Sequence, residues 1–396
     1  MPSYSLTLRT SIIDGTPSPI GNISNIAKKW QRYTDWLGGY DIGTFNVYGT
    51  PAKLRSYFET WMRLDVIESV GGIDIWNGEI RKMDFMQGNM PLSIDFNECY
   101  NRVRCSYGTG GSYCAWGSNT DSQAKYGIRE KTLQVSCDTE AGAIDERDRF
   151  LEQYAWPPLI PARDLRRMSD EIYLRVYVFG YKYSIGDLDC RNVSVNEGDT
   201  ISAAVDATVD DAVYVTTRSV DTNSNTVIDD NDKENAWEYL SRLLVMTDSS
   251  GNLFRGWIDA NRNFFYKIWN LTPAYYVRNG RVYTDAGARV EYNPRWLEPG
   301  IYRDLDSVLT GQNRGGLLQD RNDFLVERVF VDEHDNFGFM TADSVADFMM
   351  LVRALEQEAG DGGGTGGGGS KWKWGQMTDA QKKWWQGGRV GPAPNY

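Results

Sequence analysis

The 396-residue sequence predicts an α+β fold that is mainly β, built as antiparallel barrel or sandwich domains with a few packed helices. Three observations carry this. Short runs alternate apolar and polar residues, turn dipeptides separate them, and only a few segments shift to helical spacing. A chain of this length exceeds what one hydrophobic core organises, so several domains are expected.

Tyr4, Leu6 and Leu8 share one face of a first strand, and Phe45 and Val47 do so in a later one. From Pro51 to Leu64 the period becomes helical: Leu54, Phe58, Trp61 and Met62 recur on one side behind a first-turn proline. Strands resume at residues 72–80, where Asn77-Gly78 reads as a two-residue hairpin turn. Leu92, Ile94 and Phe96 alternate next, then Val103, Cys105 and Tyr107. The polar stretch SNTDSQAKYGIRE, residues 118–130, leads into the strand KTLQVSC. Asp138 or Thr139 caps a helix to about Tyr154, which Trp156-Pro157-Pro158 stops. Around residues 172–179 Leu174, Val176 and Val178 alternate with Tyr173, Arg175, Tyr177 and Phe179, a strand covered on both faces.

Asp199-Thr200 caps a short helix through Val209, and Trp237, Leu240 and Leu244 mark another over 234–246. Ser250-Gly251-Asn252, Asn279-Gly280 and Ala286-Gly287 then divide aromatic runs as in a meander of hairpins. A last helix spans Asp343 to Glu358. The glycine-rich segment 360–370 buries too little apolar area to offset its chain entropy and reads as a flexible tether reaching roughly 17–19 Å. Beyond it, residues 371–396 hold Trp372, Trp374, Trp384 and Trp385 among Lys371, Lys373, Lys382 and Lys383, with net charge +4 against about -16 for the rest. Four tryptophans serve solubility poorly, so these eight residues are the candidate partner-binding set of a docking peptide that folds on a partner surface. The organisation expected is 1-98, an N-terminal β domain with one helix; 99-190, a barrel segment with a helix; 191-310, an α+β domain; 311-359, an extension ending in a helix; then tether and peptide.

Composition excludes several functions. A net charge of -12 argues against general phosphate binding, which needs clustered Lys and Arg. No apolar run is long enough to span a membrane and the start lacks a signal-peptide pattern, so cytoplasmic synthesis without membrane insertion is expected. The five cysteines are odd in number and lack a CxxC pair, which fits free thiols in strands better than a disulfide framework or a zinc site. The single histidine, His334, reads as a surface-turn residue, and with no GxSxG or HExxH motif the chain offers no recognisable catalytic set. Asp221, Asn223, Asn225, Asp229 and Asp232 fall at calcium-loop spacing. Thr226 replaces the turn glycine, however, and no helix enters, so an Asn/Asp-rich hairpin connection is expected and no metal or cofactor is assigned.

The order of the pieces says more. YNRVRCSY at 100–107 is followed by the SQAKYGIRE connection, a strand, a helix, Ala155-Trp156-Pro157, a further strand, and the turn GYKYSIGD at 180–187. Gly38-Gly39-Tyr40, the Trp76 to Ile80 piece and LTPAYYVRNGRVYTDAGARV at 271–290 add to it. Over about residues 35–305 this order resembles the baseplate hub and tail-tip structural proteins of tailed bacteriophages. The resemblance implies a virion protein without enzymatic activity or specific nucleic-acid binding. It would assemble in the host cytoplasm as a homo-oligomer, a trimer, at the tail tip or baseplate. There it would join the tail tube and other tail-tip proteins, its acidic wall suiting a DNA conduit. On that resemblance the 118–130 stretch is a barrel-entry turn. The alternatives are a tail protein that binds or hydrolyses cell-wall glycans, and a receptor-binding fibre adaptor.

Overall fold

The computed structural model describes residues 4–86, 92–161, 172–189, 195–210, 212, 214–227, 235–269, 272–305 and 323–341. In chain order the strands are β1 (Tyr4–Arg9), β2 (Pro19–Asn22), β3 (Ala27–Asp35), β4 (Gly38–Tyr48), β5 (Asp65–Val70), β6 (Ile73–Met86), β7 (Leu92–Asp95), β8 (Arg102–Tyr107), β9 (Ser112–Tyr113), β10 (Gly117–Ser118) and β11 (Glu130–Gln134). They continue as β12 (Leu159–Pro161), β13 (Tyr173–Phe179), β14 (Thr217–Val220), β15 (Phe254–Ile258), β16 (Asn263–Ile268), β17 (Tyr275–Arg278), β18 (Arg281–Tyr283), β19 (Gly300–Asp304), β20 (Asp323–Asp332) and β21 (Phe337–Thr341). The helices are α1 (Pro51–Thr60), α2 (Thr120–Tyr126), α3 (Glu140–Tyr154), α4 (Lys182–Ile185), α5 (Ile201–Asp210) and α6 (Ala236–Leu243). The mainly β, α+β class is as expected; among the described strands no ladder closes into a barrel. No described helix is long and apolar enough to cross a membrane.

One sheet organises the molecule. Its spine is antiparallel, in the order β2-β1-β5-β6-β13-β4-β3-β20. β13 holds the centre because both of its edges are paired, and its buried alternate residues Leu174, Val176 and Val178 meet Trp30, Phe45, Trp76 and Ile80 in one core. Trp30 and Trp76 pack edge to face at 5.3 Å between centroids, a geometry the ring quadrupole favours. At the β2 end the β1–β2 ladder runs one rung further, where the Ile23 N–H bonds the Leu6 carbonyl at 2.8 Å.

Two wings extend the spine. β15 continues from β4 in parallel and carries β16 and β14, over which α5 and α6 bury Ala204, Val205, Leu240 and Leu243. Asn235 and Glu238 form a reciprocal cap at the start of α6, satisfying two N-terminal donors. β20 carries β21 and β19, and β19 carries β17 and β18. The meander expected for residues 250–290 holds only for β15–β16 and β17–β18. The ladders β14–β16 and β17–β19 are parallel and join strands distant in sequence. Asn279-Gly280 does form a hairpin turn, with positive φ at both residues.

Asn77-Gly78 does not. It lies inside the continuous β6, and the chain reverses at Gly71-Gly72 instead, both with positive φ. Gly78 answers to packing: a Cβ there would stand 2.4 Å from the Phe179 carbonyl oxygen, near the register shift where β6 carries one extra residue, Arg81, against β13. The 118–130 stretch also departs from a simple turn. Thr120–Tyr126 is helical, capped by the Asn119 side chain, which accepts from the Ser122 N–H at 3.0 Å. The physical reason lies in the second sheet. β11 pairs with β8 in parallel, and a parallel pair requires a crossover, which α2 supplies. This smaller sheet, β10-β8-β11 with β9 on β8, packs beneath α3. α3 has the expected Thr139 cap. The predicted helix 343–358, the tether and the terminal peptide lie outside the described residues.

Candidate functional site

Among the described residues most buried carboxylates, Asp41, Asp65, Glu68, Glu79, Asp187 and Asp323 among them, pair with cations that lock the strands together. The largest cluster joins Arg63, Arg81 and Arg129 to Glu79 and Asp187. Arg81 Nε meets Glu79 Oε1 at 2.7 Å, Arg63 meets the same oxygen at 3.1 Å and Asp187 at 3.5 Å, and Arg81 and Arg129 both pair with Asp187. Glu79 and Asp187 are 0% and 1% exposed. The Phe96 ring lies under all three guanidiniums, with its centroid 4.1 Å from that of Arg63, 5.3 Å from Arg81 and 5.5 Å from Arg129. Burial alone would push the Asp187 carboxyl up; the charges of Arg81, Arg129 and Arg63 outweigh it and hold the group below the ordinary carboxylate range.

The 118–130 stretch has its role in this cluster. Asn101, fully buried, donates from Nδ2 to the Gly127 carbonyl at 2.8 Å and to Ser122 Oγ at 3.2 Å, and accepts from the Arg129 N–H at 2.8 Å. Its own carbonyl accepts from the Asn119 N–H at 2.9 Å, so one side chain and its backbone fasten both ends of the crossover. Arg129 is thereby aimed at Asp187, while Glu130 accepts from the Asp189 N–H at 2.9 Å. The stretch bolts the small sheet to the large one. Gly127, at φ +77°, is required where it stands: a Cβ would lie 2.4 Å from Tyr214 Oη.

Two further clusters tie the wing of β20 to the spine. Glu68 on β5 holds Arg32 on β3 and Arg295, the latter at 2.6 Å, and Arg295 also donates to the Glu333 carbonyl at 2.9 Å. Asp35 and Asp41 share Lys182, at 2.7 and 2.8 Å, and Arg328. A cavity of about 120 Å³ lies between Arg32, Tyr40, Asp74, Arg295 and Glu298, smaller than the roughly 300–1,000 Å³ of ligand pockets.

The exposed apolar side chains fall elsewhere, several of them on strands that have one unpaired edge among the described residues. Ile20 is on β2, Leu159 on β12 and Met340 on β21, exposed by 54%, 60% and 49%. Such an edge presents free N–H and C=O groups, and an apolar residue on it favours a further strand over solvent.

The predicted site residues Trp372, Trp374, Trp384, Trp385, Lys371, Lys373, Lys382 and Lys383 lie outside the described residues. Of the calcium-spaced set, Asp221 pairs with Lys267 at 2.7 Å, Asn223 donates to Tyr266 Oη at 3.0 Å, and Asn225 donates to the Thr247 carbonyl at 2.8 Å. They brace the connection that follows β14, which is not the expected hairpin because β14 pairs with β16 in parallel; Asp229 and Asp232 lie outside the described residues. His334 is exposed in the turn between β20 and β21, as expected, and Cys99, Cys105, Cys114 and Cys137 are free thiols. Sequence reasoning missed the arginine-carboxylate clusters altogether. Their members come from distant parts of the chain, and the only local sign is the Glu79-x-Arg81 alternation that sets both on one face of β6.

No protein-family profile and no curated protein matches the chain. Solved structures similar to it include two tail proteins and a type VI secretion component. A 43 kDa tail protein of prophage MuSo2 from Shewanella oneidensis is 7% identical, with TM-score 0.37 over 86% of this chain and 96% of that one. A tail protein from Neisseria meningitidis is 9% identical, with TM-score 0.38 over 86% and 97%. A type VI secretion component of E. coli, described as structurally similar to tail proteins of bacteriophage T4, is 9% identical, with TM-score 0.36 over 79% and 71%.

Proposed function

We propose that the protein is a structural, non-enzymatic component of a bacteriophage tail, a hub or tip ring built from several copies of the chain. It would join the tail tube to the distal tail, in a virion assembled in the host cytoplasm. The observation that carries this reading is the division of labour within the fold. Buried carboxylates serve arginine and lysine locks, and several exposed apolar side chains sit on strand edges, where a neighbouring copy would add strands. The sequential order of motifs over residues 35–305 points the same way, and the acidic balance suits a wall past which DNA must slide. On this reading the tethered Trp/Lys peptide clips onto a neighbouring subunit or tail protein, its tether raising the local concentration.

The test is the mass in solution by light scattering, with negative-stain imaging of the same fraction, for the parent chain and for the double variant Ile20→Lys, Met340→Lys. Rings in the parent and smaller species in the variant, at unchanged melting temperature, are expected. A monomer in both, with glycan pull-down positive, would replace the ring reading by the glycan-binding one.

A further inference from the structure

We propose that Cys105 and Cys114 form an oxidisable dithiol that closes to a cross-strand disulfide when the protein meets a small-molecule disulfide oxidant. The register places them. β8 and β9 pair Ser106 with Tyr113 and Tyr107 with Ser112, and one step further along the same register Cys105 faces Cys114. The Cys114 N–H donates to the Cys105 carbonyl at 3.0 Å, and the Cys105 N–H donates to Cys114 Sγ at 3.2 Å. Directly opposed antiparallel residues have Cα atoms about 4.5–5.5 Å apart, inside the roughly 4.4–6.8 Å that a disulfide spans. The Cys114 sulfur already stands within hydrogen-bond reach of the Cys105 N–H, so the two side chains occupy neighbouring space. Both thiols sit with Ala143 of α3 in one cluster, against which Cys137, Leu133 and Val135 pack.

Access comes through the hairpin. β9 is two residues long, both exposed, and β8 is its sole partner among the described strands. Gly108 and Gly111 on either side of the tip have positive φ and open space round the Cβ position. Local opening of so short an element is the least costly route to the sulfurs. In the open state the Cys114 thiol gives its proton to solvent and attacks one sulfur of the oxidant, expelling one thiolate. The Cys105 thiolate then attacks Cys114 Sγ in the mixed disulfide and expels the second, so two protein thiols are oxidised and one small disulfide becomes two thiols. Burial pushes the Cys105 thiol up to about 11 while the hairpin is shut, which keeps it protonated there; in the open state both exchanges speed up as rising pH ionises the attacking thiols. The bridge would tether β9, and with it Tyr113, whose ring stands 4.7 Å from the Arg104 guanidinium. If the chain belongs to a released particle, as proposed above, passage from a reducing to an oxidising medium supplies the oxidant. The chemistry itself does not depend on that reading.

The full-length protein is incubated, folded, with oxidised glutathione at neutral and mildly alkaline pH. Thiols are then counted in denaturant, and linkages are mapped by non-reducing peptide mass spectrometry. A Cys105–Cys114 linked peptide, loss of two of the five thiols, and faster loss at the higher pH are expected. Cys137→Ala should close as the parent does, and Cys114→Ala should not form the bridge. An unchanged thiol count, glutathione adducts that persist without closure, or a bridge that uses Cys137 in place of either partner overturns the proposal. Should Cys114→Ala fail to fold, the linkage maps of the parent and of Cys137→Ala decide alone.

Discussion

Asp187 concentrates the energetics of the fold in one side chain. It is buried beneath three guanidiniums, so replacing it by Asn leaves Arg63, Arg81 and Arg129 with Glu79 alone among the carboxylates of their cluster. Removing one partner from a buried ion pair costs about 3–5 kcal/mol, because the remaining charge stays desolvated. Asp187→Asn should lower the unfolding free energy by that margin, seen as a urea midpoint reduced by the loss divided by an unchanged slope m. The pH dependence has a definite sign. A carboxyl held below its unfolded value contributes stability that is fully present above about pH 4 and is lost as pH falls through the folded value. Parent and variant should therefore converge in stability as the solution is acidified. Equal stability of the two proteins at neutral pH would show that this cluster does not hold the sheets together.

At the scale of elements, legibility followed locality. α1 and α3 were readable because their signals are near neighbours: a proline at the first turn of one, and in the other a Thr139 cap with Trp-Pro-Pro closing the segment. β13 was readable because three aliphatics alternate without interruption. β6 was misread because Asn77-Gly78 has the composition of a turn, although Gly78 exists to let the Phe179 carbonyl pass. α2 was missed because seven residues give too short a period, and its need arises from a parallel ladder that no local pattern announces. β20, which pairs with β3 across nearly three hundred residues, was likewise invisible. The ionic clusters share this cause: among 54 acidic residues no spacing marks the few that meet an arginine. The reading of Gly78 has a direct check. Gly78→Ala should cost about 1–3 kcal/mol, since the obstructing atom is backbone and cannot rotate away. Gly110→Ala, where a Cβ meets nothing within 4 Å, should stay within about 0.5 kcal/mol of the parent. Comparable losses in thermal melts of the two variants would remove close approach as the reason for glycine in β6.

The whole molecule divides its charge unequally, with net +4 on residues 371–396 and about -16 elsewhere. A body so acidic repels its own copies, and assembly through strand edges must work against that repulsion. A cationic, tryptophan-bearing end supplies attraction of two kinds: a Coulomb part that salt screens over roughly 8–10 Å at physiological ionic strength, and an apolar part that salt leaves intact. The proposed clip can therefore be separated from the edge contacts by comparing the full chain with one ending at Ala359 across a salt series in light scattering. If the peptide docks on a neighbouring copy, the full chain should associate more strongly than the truncated one at low salt, and the gap should narrow as salt rises without vanishing. Removal of Trp384 and Trp385 should abolish the part that survives at high salt. Identical association of the two chains at every salt concentration would leave assembly to the strand edges alone and assign the peptide to a different partner.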